Sequence, residues 1–534
     1  MLFGWLLDFV VIGAYFALIL GVGLYMGRKE ESLHDFALGG RRIPWWAVLA
    51  SIIAAETSAG TFIGTPGEGY AHRNFTYLQL ALGTIIARIA IAFTFLKPYY
   101  DYNVYSIYEF LKVRFGPGSR NAASAVFLIT RVLASGTRLY IAAVILVLAC
   151  EMLLGARPDH TQELLIYVGA ITAVTILTAI YTTLGGIKAV IWTDMIQAVV
   201  MMGSAIVAIV LLFVGIPGGW DEIGRRLASP GDLRFLDAGI EPARSWWQNV
   251  KGILESEYTI WAGILGSTFT TMATHGTDQD MVQRMLTAKD VRRSRLSLVL
   301  SGLADIPIVF IFLTIGILLW VHFQANPDPK LPAKTNEIFC YYILTGMPTG
   351  VRGLLVAGIF ATAMGSLSAA LNALATSFTR DWYHQFIRPR ATEADTLRTA
   401  RIATVVFSVL MIIVASATAA FVILNPKSRI IPIALGIFGY TYGSLLGIFL
   451  VGMVTRTRGN DRGNLIAMIV GFLLVSLMSG LPNDVAAIFG GALYPQPDWL
   501  PRMEFPWRIL VGTIGTASVA LCFRTRQPLT PQTG

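Results

Sequence analysis

The sequence of 534 residues is short of two things, charge and cysteine. Only 14% of its residues are Asp, Glu, Lys or Arg, against 55% hydrophobic and a mean hydropathy of +0.62. So little charge does not cover an aqueous surface of this size, which excludes an ordinary soluble globule. The three cysteines, Cys150, Cys340 and Cys522, lie far apart, so there is no CxxC pair, metal-ligand spacing or disulfide framework. No HExxH, GxSxG or DDxxD-like cluster falls within an apolar run, and no enzymatic chemistry is expected. The net charge of +9 is spread in short basic clusters between apolar runs. That is the layout of loops beside a lipid bilayer, and no nucleic-acid partner is expected. Met1 to Gly27 lacks a basic start and is apolar for too long to be a signal peptide, so it reads as a first span.

What the chain has in abundance is apolar runs of about 20 residues, the length that crosses a hydrocarbon core. They fall near 5–27, 44–68, 76–98, 121–153, 163–184, 189–214, 258–283, 295–322, 350–380, 399–424, 428–455, 463–482 and 508–524. Barrel alternation is missing, so the fold class expected is an all-α integral membrane protein of about 13 helices. Every second connection is basic: Arg28, Lys29, Arg41 and Arg42; Lys112, Arg114 and Arg120; Lys289, Arg292, Arg293 and Arg295; Arg380, Arg388, Arg390 and Arg398; Arg456, Arg458 and Arg462. This places the N-terminus outside a cell membrane and the C-terminus inside. The loops 215–257 and 323–349 are expected to fold on the outer surface, and the tail after Arg526 to be disordered.

Two spans break the apolar pattern. Span 2 carries Glu56 within the run Ala54–Gly67, and span 7 carries His275, Asp278 and Asp280 within Ser267–Asp280; both are dense in Gly, Ser and Thr. Irregular backbone at membrane depth is tolerated only where it lines a cavity or is covered by protein. The two spans lie five apart, so spans 2–6 and 7–11 are expected to form two inverted halves, each opening on a broken helix, with a binding site between them. Small residues also let helices pack closely, which explains the glycines but not Glu56 or His275.

The other ionisable residues inside apolar runs are Asp8, Arg88, Arg131, Arg138, Asp194 and Asp305. Such groups are costly in lipid, so a functional role is the first expectation. Asp8 and Arg88 are expected near the interface, snorkelling, whereas Asp194 is a candidate cation ligand. Asp305 precedes Pro307, which lacks a backbone donor, so a distorted helix is expected there. Span 9 carries Thr362–Asn372, whose hydroxyls and carbonyls suit a hard cation such as Na⁺. On this stretch alone a helix-packing role is favoured.

Ser51–Gly69, Tyr181–Gln197 (YTTLGGIKAVIWTDMIQ), Asp278–Lys289 (DQDMVQRMLTAK), Ala361–Tyr383 and Tyr440–Leu450 (YTYGSLLGIFL) carry a family resemblance. Through them the chain resembles the sodium/solute symporters, which include bacterial sodium/galactose, proline and sialic-acid transporters. The resemblance runs from about residue 30 to about 455 and implies a leucine-transporter-type five-plus-five inverted repeat with extra flanking helices. The division expected is 1–43 as an added helix and loop, 44–455 as the core (repeats 44–214 and 258–455), and 456–534 as two further helices and a tail.

The resemblance implies Na⁺ as coupling ion. Its main site would use carbonyls of Ala54, Thr57 and Thr362 with side chains at 365 and 366, but Gly365 stands where the family usually has Ser, leaving Ser366. A second Na⁺ site of some members would match Asp194 and Ser368, with Ala369 where another hydroxyl is expected. The solute would lie by Glu56, Thr61, Gln79, Arg138, His275 and Asp305. Asp305 falls at a substrate-contacting lysine of the sugar transporter, and His275 replaces an aromatic residue beside the gate. Arg138 suits a carboxylate and the acids suit an amine or hydroxyls, so a sugar, amino acid or sugar acid all stay open. One Na⁺ entering at −100 mV releases ~2.3 kcal/mol, and a tenfold gradient adds ~1.4 kcal/mol. That concentrates a neutral solute a few hundred-fold. Proton coupling through Glu56, Asp194 or Asp305, and a non-transporting sensor of the same fold, are the alternatives.

Overall fold

The structure, a computed structural model, describes residues 2–28, 31–154, 158–425, 436–488, 491 and 501–525. The tail after Arg526 and the start of the eleventh expected span lie outside the described residues. Without water at membrane depth every backbone N–H must be satisfied within its own segment, and the described residues accordingly form helices and no strand. The elements used below are α1 (Leu2–Met26), α2 (Trp45–Glu56), α3 (Ala59–His72), α4 (Gln79–Thr94), α5 (Pro117–Leu154), α6 (His160–Val214) and α7 (Ser267–Gly276). They continue with α8 (Gln279–Leu286), α9 (Val291–Ala325), α10 (Val351–Ser377), α11 (Glu393–Leu424), α12 (Ile437–Val454), α13 (Asp461–Met478) and α14 (Phe505–Leu521). Among the described residues nine helices are long and apolar enough to cross a bilayer, and α2 with α3 makes a tenth as a bent pair.

The fifth and sixth expected spans are two helices that meet at a kink: α6, 55 residues long, is helical except at Gly186 (φ 50°, ψ −150°). At 1.5 Å per residue its chain length is about 82 Å, enough for two crossings of a core about 30 Å thick. Gly186 bends it, and only glycine serves: a Cβ there would stand 2.6 Å from the Phe36 carbonyl oxygen. Pro307 causes no such break, since α9 continues through it. The loops 215–257 and 323–349 hold short helices, Gly219–Arg226, Trp246–Leu254 and Thr335–Gly346.

Helix α10 is the centre of the bundle. The most apolar stretch of its span is 89% buried, against 17% for α1. Its Gly, Ala and Ser residues let α5, α6 and α11 pack closely around it. Helix α9 packs on α2 and α3, and α7 on α4. The small-residue stripe of span 9 therefore does pack helices, and it also brings Thr362, Gly365, Ser366 and Ser368 to the middle of the molecule.

Candidate substrate and ion site

Helix α2 stops at Glu56. Thr57 (φ −79°, ψ 89°) and extended Ser58 separate it from α3, which leaves at 64°. Helix α7 stops at Gly276. Thr277 and Asp278 leave helical geometry, and the Asp278 carboxylate accepts the Asp280 N–H at 2.9 Å to start α8. Carbonyls at each break lack the next turn's donors and take other partners: the Gly276 carbonyl accepts the Tyr99 hydroxyl at 2.7 Å.

On one side of the breaks sits Arg88 of α4, fully buried. Its Nη1 donates to Ser301 Oγ at 2.8 Å, and its Nη2 lies 2.8 Å from Asp305 Oδ2 and bonds the Glu56 carboxylate. His275 Nε2 stands 3.5 Å from the same nitrogen and 3.6 Å from Glu56 Oε2. The guanidinium is sealed, while Glu56 and Asp305 keep 26% and 15% of their side chains exposed. Arg88 thus does not snorkel, and Asp305 pairs with it. Asp8 does not snorkel either: it is buried, accepts the Gly350 and Gly353 N–H groups at 2.7 and 2.8 Å, and pairs with Arg352. In each case a charge without water takes a partner instead.

On the other side lies a chain of buried charges. Arg131 bonds Asp278 and stands 3.2 Å from Asp280. Arg284 bonds Asp280, donates to Ser51 Oγ at 2.9 Å and reaches Asp194 Oδ2 at 3.2 Å. Ser51 donates to the same Asp194 oxygen at 2.6 Å, and Tyr442 to Asp278 at 2.6 Å. This network ties α2, α5, α6, α8 and α12 together. Arg284, Asp280 and Tyr442 had no assigned role in the sequence reading. The signal was the run DQDMVQR, whose acids and arginine are too polar for a lipid-facing helix.

Arg138 of α5 lines a small cavity of about 10 Å³ with Ala59, Ser135 and Ser366. That is space for about one water molecule. The guanidinium lies 5.1 Å from the Phe438 ring centre, and among the described residues it has no hydrogen bond or ion pair. A larger groove of about 770 Å³ beside Ile129, Val414 and Phe472 is apolar and lies away from these charges.

The expected ion ligands converge in part. The Ala54 carbonyl oxygen lies 3.3 Å from the position a Cβ on Gly365 would take, and Asp194 Oδ1 lies 3.5 Å from it. Ser366 Oγ donates to the Thr362 and Ala363 carbonyls at 3.0 and 3.1 Å, leaving its lone pairs free. Ser368 donates to the Gly365 carbonyl at 3.1 Å. Thr57 sits in the break and Thr61 is half-buried one turn into α3. Gln79 stands apart: it donates to the Thr76 and Tyr258 carbonyls and accepts the Asp237 N–H, so its amide lashes down the 215–257 loop.

Interrupted helices, buried ion pairs and a sealed all-helical bundle define a multi-pass membrane transporter. The chain belongs to the sodium:solute symporter family, whose pattern it matches over residues 36–471. It is similar to the sodium/sialic acid symporter SiaT of Proteus mirabilis, 28% identical over 91% of this chain and 92% of that one. It is also similar to sodium-coupled monocarboxylate transporter 2 of Bos taurus, 27% identical over 92% of this chain and 73% of that one. A solved Na⁺-coupled sialic acid symporter, in a substrate-bound outward-open state, superposes with a TM-score of 0.77 at 25% identity and 97% coverage of both chains. The chain is therefore a Na⁺-coupled symporter of a small polar solute and not an enzyme.

Proposed function

We propose that this symporter carries a solute bearing a carboxylate into the cell, with Arg138 receiving the carboxylate. The observation that carries this is the unpaired guanidinium of Arg138 beside the break of α2 and α3. A partly buried arginine without an acceptor costs free energy, and a carboxylate would supply the acceptor in a two-point pair. Sialic acid and monocarboxylates, named for the two relatives, are acids. Glu56, Thr61, His275 and Asp305 would meet the rest of the solute, its hydroxyls or an amine. Gln79 would join them only if its loop releases it. The Na⁺ ion would be held by carbonyls of Ala54, Thr57 and Thr362 and by Ser366 Oγ. Asp194 and Ser368 would be the groups available to a second Na⁺, a position left incomplete by Ala369.

This reading includes thirteen crossings in a leucine-transporter-type inverted repeat. The core is 44–455 (repeats 44–214 and 258–455), preceded by 1–43 and followed by 456–534. The protein would sit in the plasma membrane with its N-terminus outside and C-terminus inside.

The test is a thermal-shift panel on the purified protein in Na⁺ buffer, with N-acetylneuraminic acid, short monocarboxylates, amino acids and neutral hexoses. The acid that stabilises the wild type should lose at least tenfold in affinity with Arg138→Gln, about the 1.5–3 kcal/mol of a charge-assisted bond. A neutral hexose that binds equally to both proteins would defeat the carboxylate assignment.

A further inference from the structure

Gly365 removes a hydroxyl from the ion site, and the structure shows what stands in its place. A Cβ built on Gly365 would lie 2.8 Å from Gln197 Oε1, 3.3 Å from the Ala54 carbonyl oxygen and 3.5 Å from Asp194 Oδ1. An amide, a carbonyl and a carboxylate oxygen therefore surround the space in front of one α-carbon. Gln197 and Asp194 are both fully buried. Asp194 Oδ2 is taken by Ser51 and Arg284, but two buried acceptors, Asp194 Oδ1 and Gln197 Oε1, have no hydrogen-bond partner. Buried acceptors are rarely left so, and two together in one place call for a bound group. Oxygen donors of this kind, one of them charged, suit a hard monovalent cation. They do not suit a transition metal: no cluster of three His, Cys, Asp or Glu occurs among the described residues.

We infer that Gln197 is a Na⁺ ligand in this chain, its Oε1 supplying the oxygen that the residue at 365 lacks, with Asp194 Oδ1 facing the same ion. The sequence permits this because Asp194 and Gln197 are three apart on α6 and share a face. Glycine at 365 leaves room for this placement, since a Cβ there would lie 2.8 Å from Gln197 Oε1 and push the amide aside. Glycine is thus the partner of Gln197 and not a defect in the cage. The inference rests on Na⁺ coupling and on the Ala54 and Ser366 ligands proposed above.

The experiment is direct binding of ²²Na⁺ to the purified full-length protein, with folding checked by size exclusion and thermal midpoint. Gln197→Leu and Gly365→Ala should each weaken Na⁺ at least tenfold. Neither removes an oxygen that the family pattern assigns, so the family pattern alone predicts no change. Gly365→Ser placed in the Gln197→Leu background should restore most of the lost affinity, because the hydroxyl returns as the amide oxygen leaves. Wild-type affinity in Gln197→Leu, or no recovery in the double variant, would overturn the inference. If Gln197→Leu does not fold, Gln197→Glu keeps the shape and adds charge, and should bind Na⁺ at least as tightly as the wild type. Weaker binding there would overturn it too. A wild-type protein that binds no Na⁺ would instead overturn Na⁺ coupling itself.

Discussion

Asp305 Oδ2 lies 2.8 Å from Nη2 of Arg88, and the same nitrogen bonds the carboxylate of Glu56. One sealed cation therefore holds two half-open acids, one from the broken helix and one from α9. Removing the cation leaves two uncompensated carboxylates. Arg88→Met should lower stability by about 3–5 kcal/mol, the scale of a broken buried pair, seen as a reduced thermal midpoint and yield. Adding Glu56→Gln should recover part of it. Asp305→Asn keeps the Arg88–Glu56 bond, so the protein should fold and show altered solute affinity and rank order. A variant as unstable as Arg88→Met with an unchanged rank order would mean that Asp305 only ties α9 to α4.

Gly186 gives a test of the bend in α6. Its φ of 50° disfavours any side chain, and its Cβ would strike the Phe36 carbonyl. Gly186→Ala should cost more than the roughly 1–3 kcal/mol of backbone strain in this glycine-only region alone. Gly169, in the same helix with open space around its Cβ position, should accept alanine without loss. Equal thermal midpoints for the two variants would remove the bend from the account.

Ser366 bonds two carbonyls of its own helix and keeps its lone pairs. Ser366→Ala should raise the Na⁺ concentration for half-maximal uptake about tenfold, the loss of ~1.4 kcal/mol. An unchanged requirement would take Ser366 out of the ion site.

How much of this was legible in the sequence follows from what each signal encodes. Hydropathy marks where a chain crosses lipid, so the bundle and the interrupted α2–α3 and α7–α8 segments were readable. It does not encode pairing. Arg88 looked like an interfacial arginine because its partners, Glu56, Asp305 and Ser301, lie up to 217 positions away. Gln197 passed unnoticed because an amide in an apolar helix has no spacing rule of its own. Only its closeness to Gly365 gives it meaning. Gly186 carried no signal of its own, since a glycine pair reads the same in a turn and in a kinked helix.

Orientation is tested by cysteine labelling in a background without Cys150, Cys340 and Cys522. Lys330→Cys should react with an impermeant maleimide added outside whole cells, and Arg390→Cys only after permeabilisation. The reverse pattern would invert the membrane topology.

The most direct measurement is uptake into proteoliposomes of the carboxylated solute that stabilises the purified protein. With an inward Na⁺ gradient the solute should accumulate above its external concentration, and replacing Na⁺ by K⁺ should abolish accumulation. Accumulation driven equally by a pH gradient in Na⁺-free buffer, or mere equilibration under the Na⁺ gradient, would contradict the account.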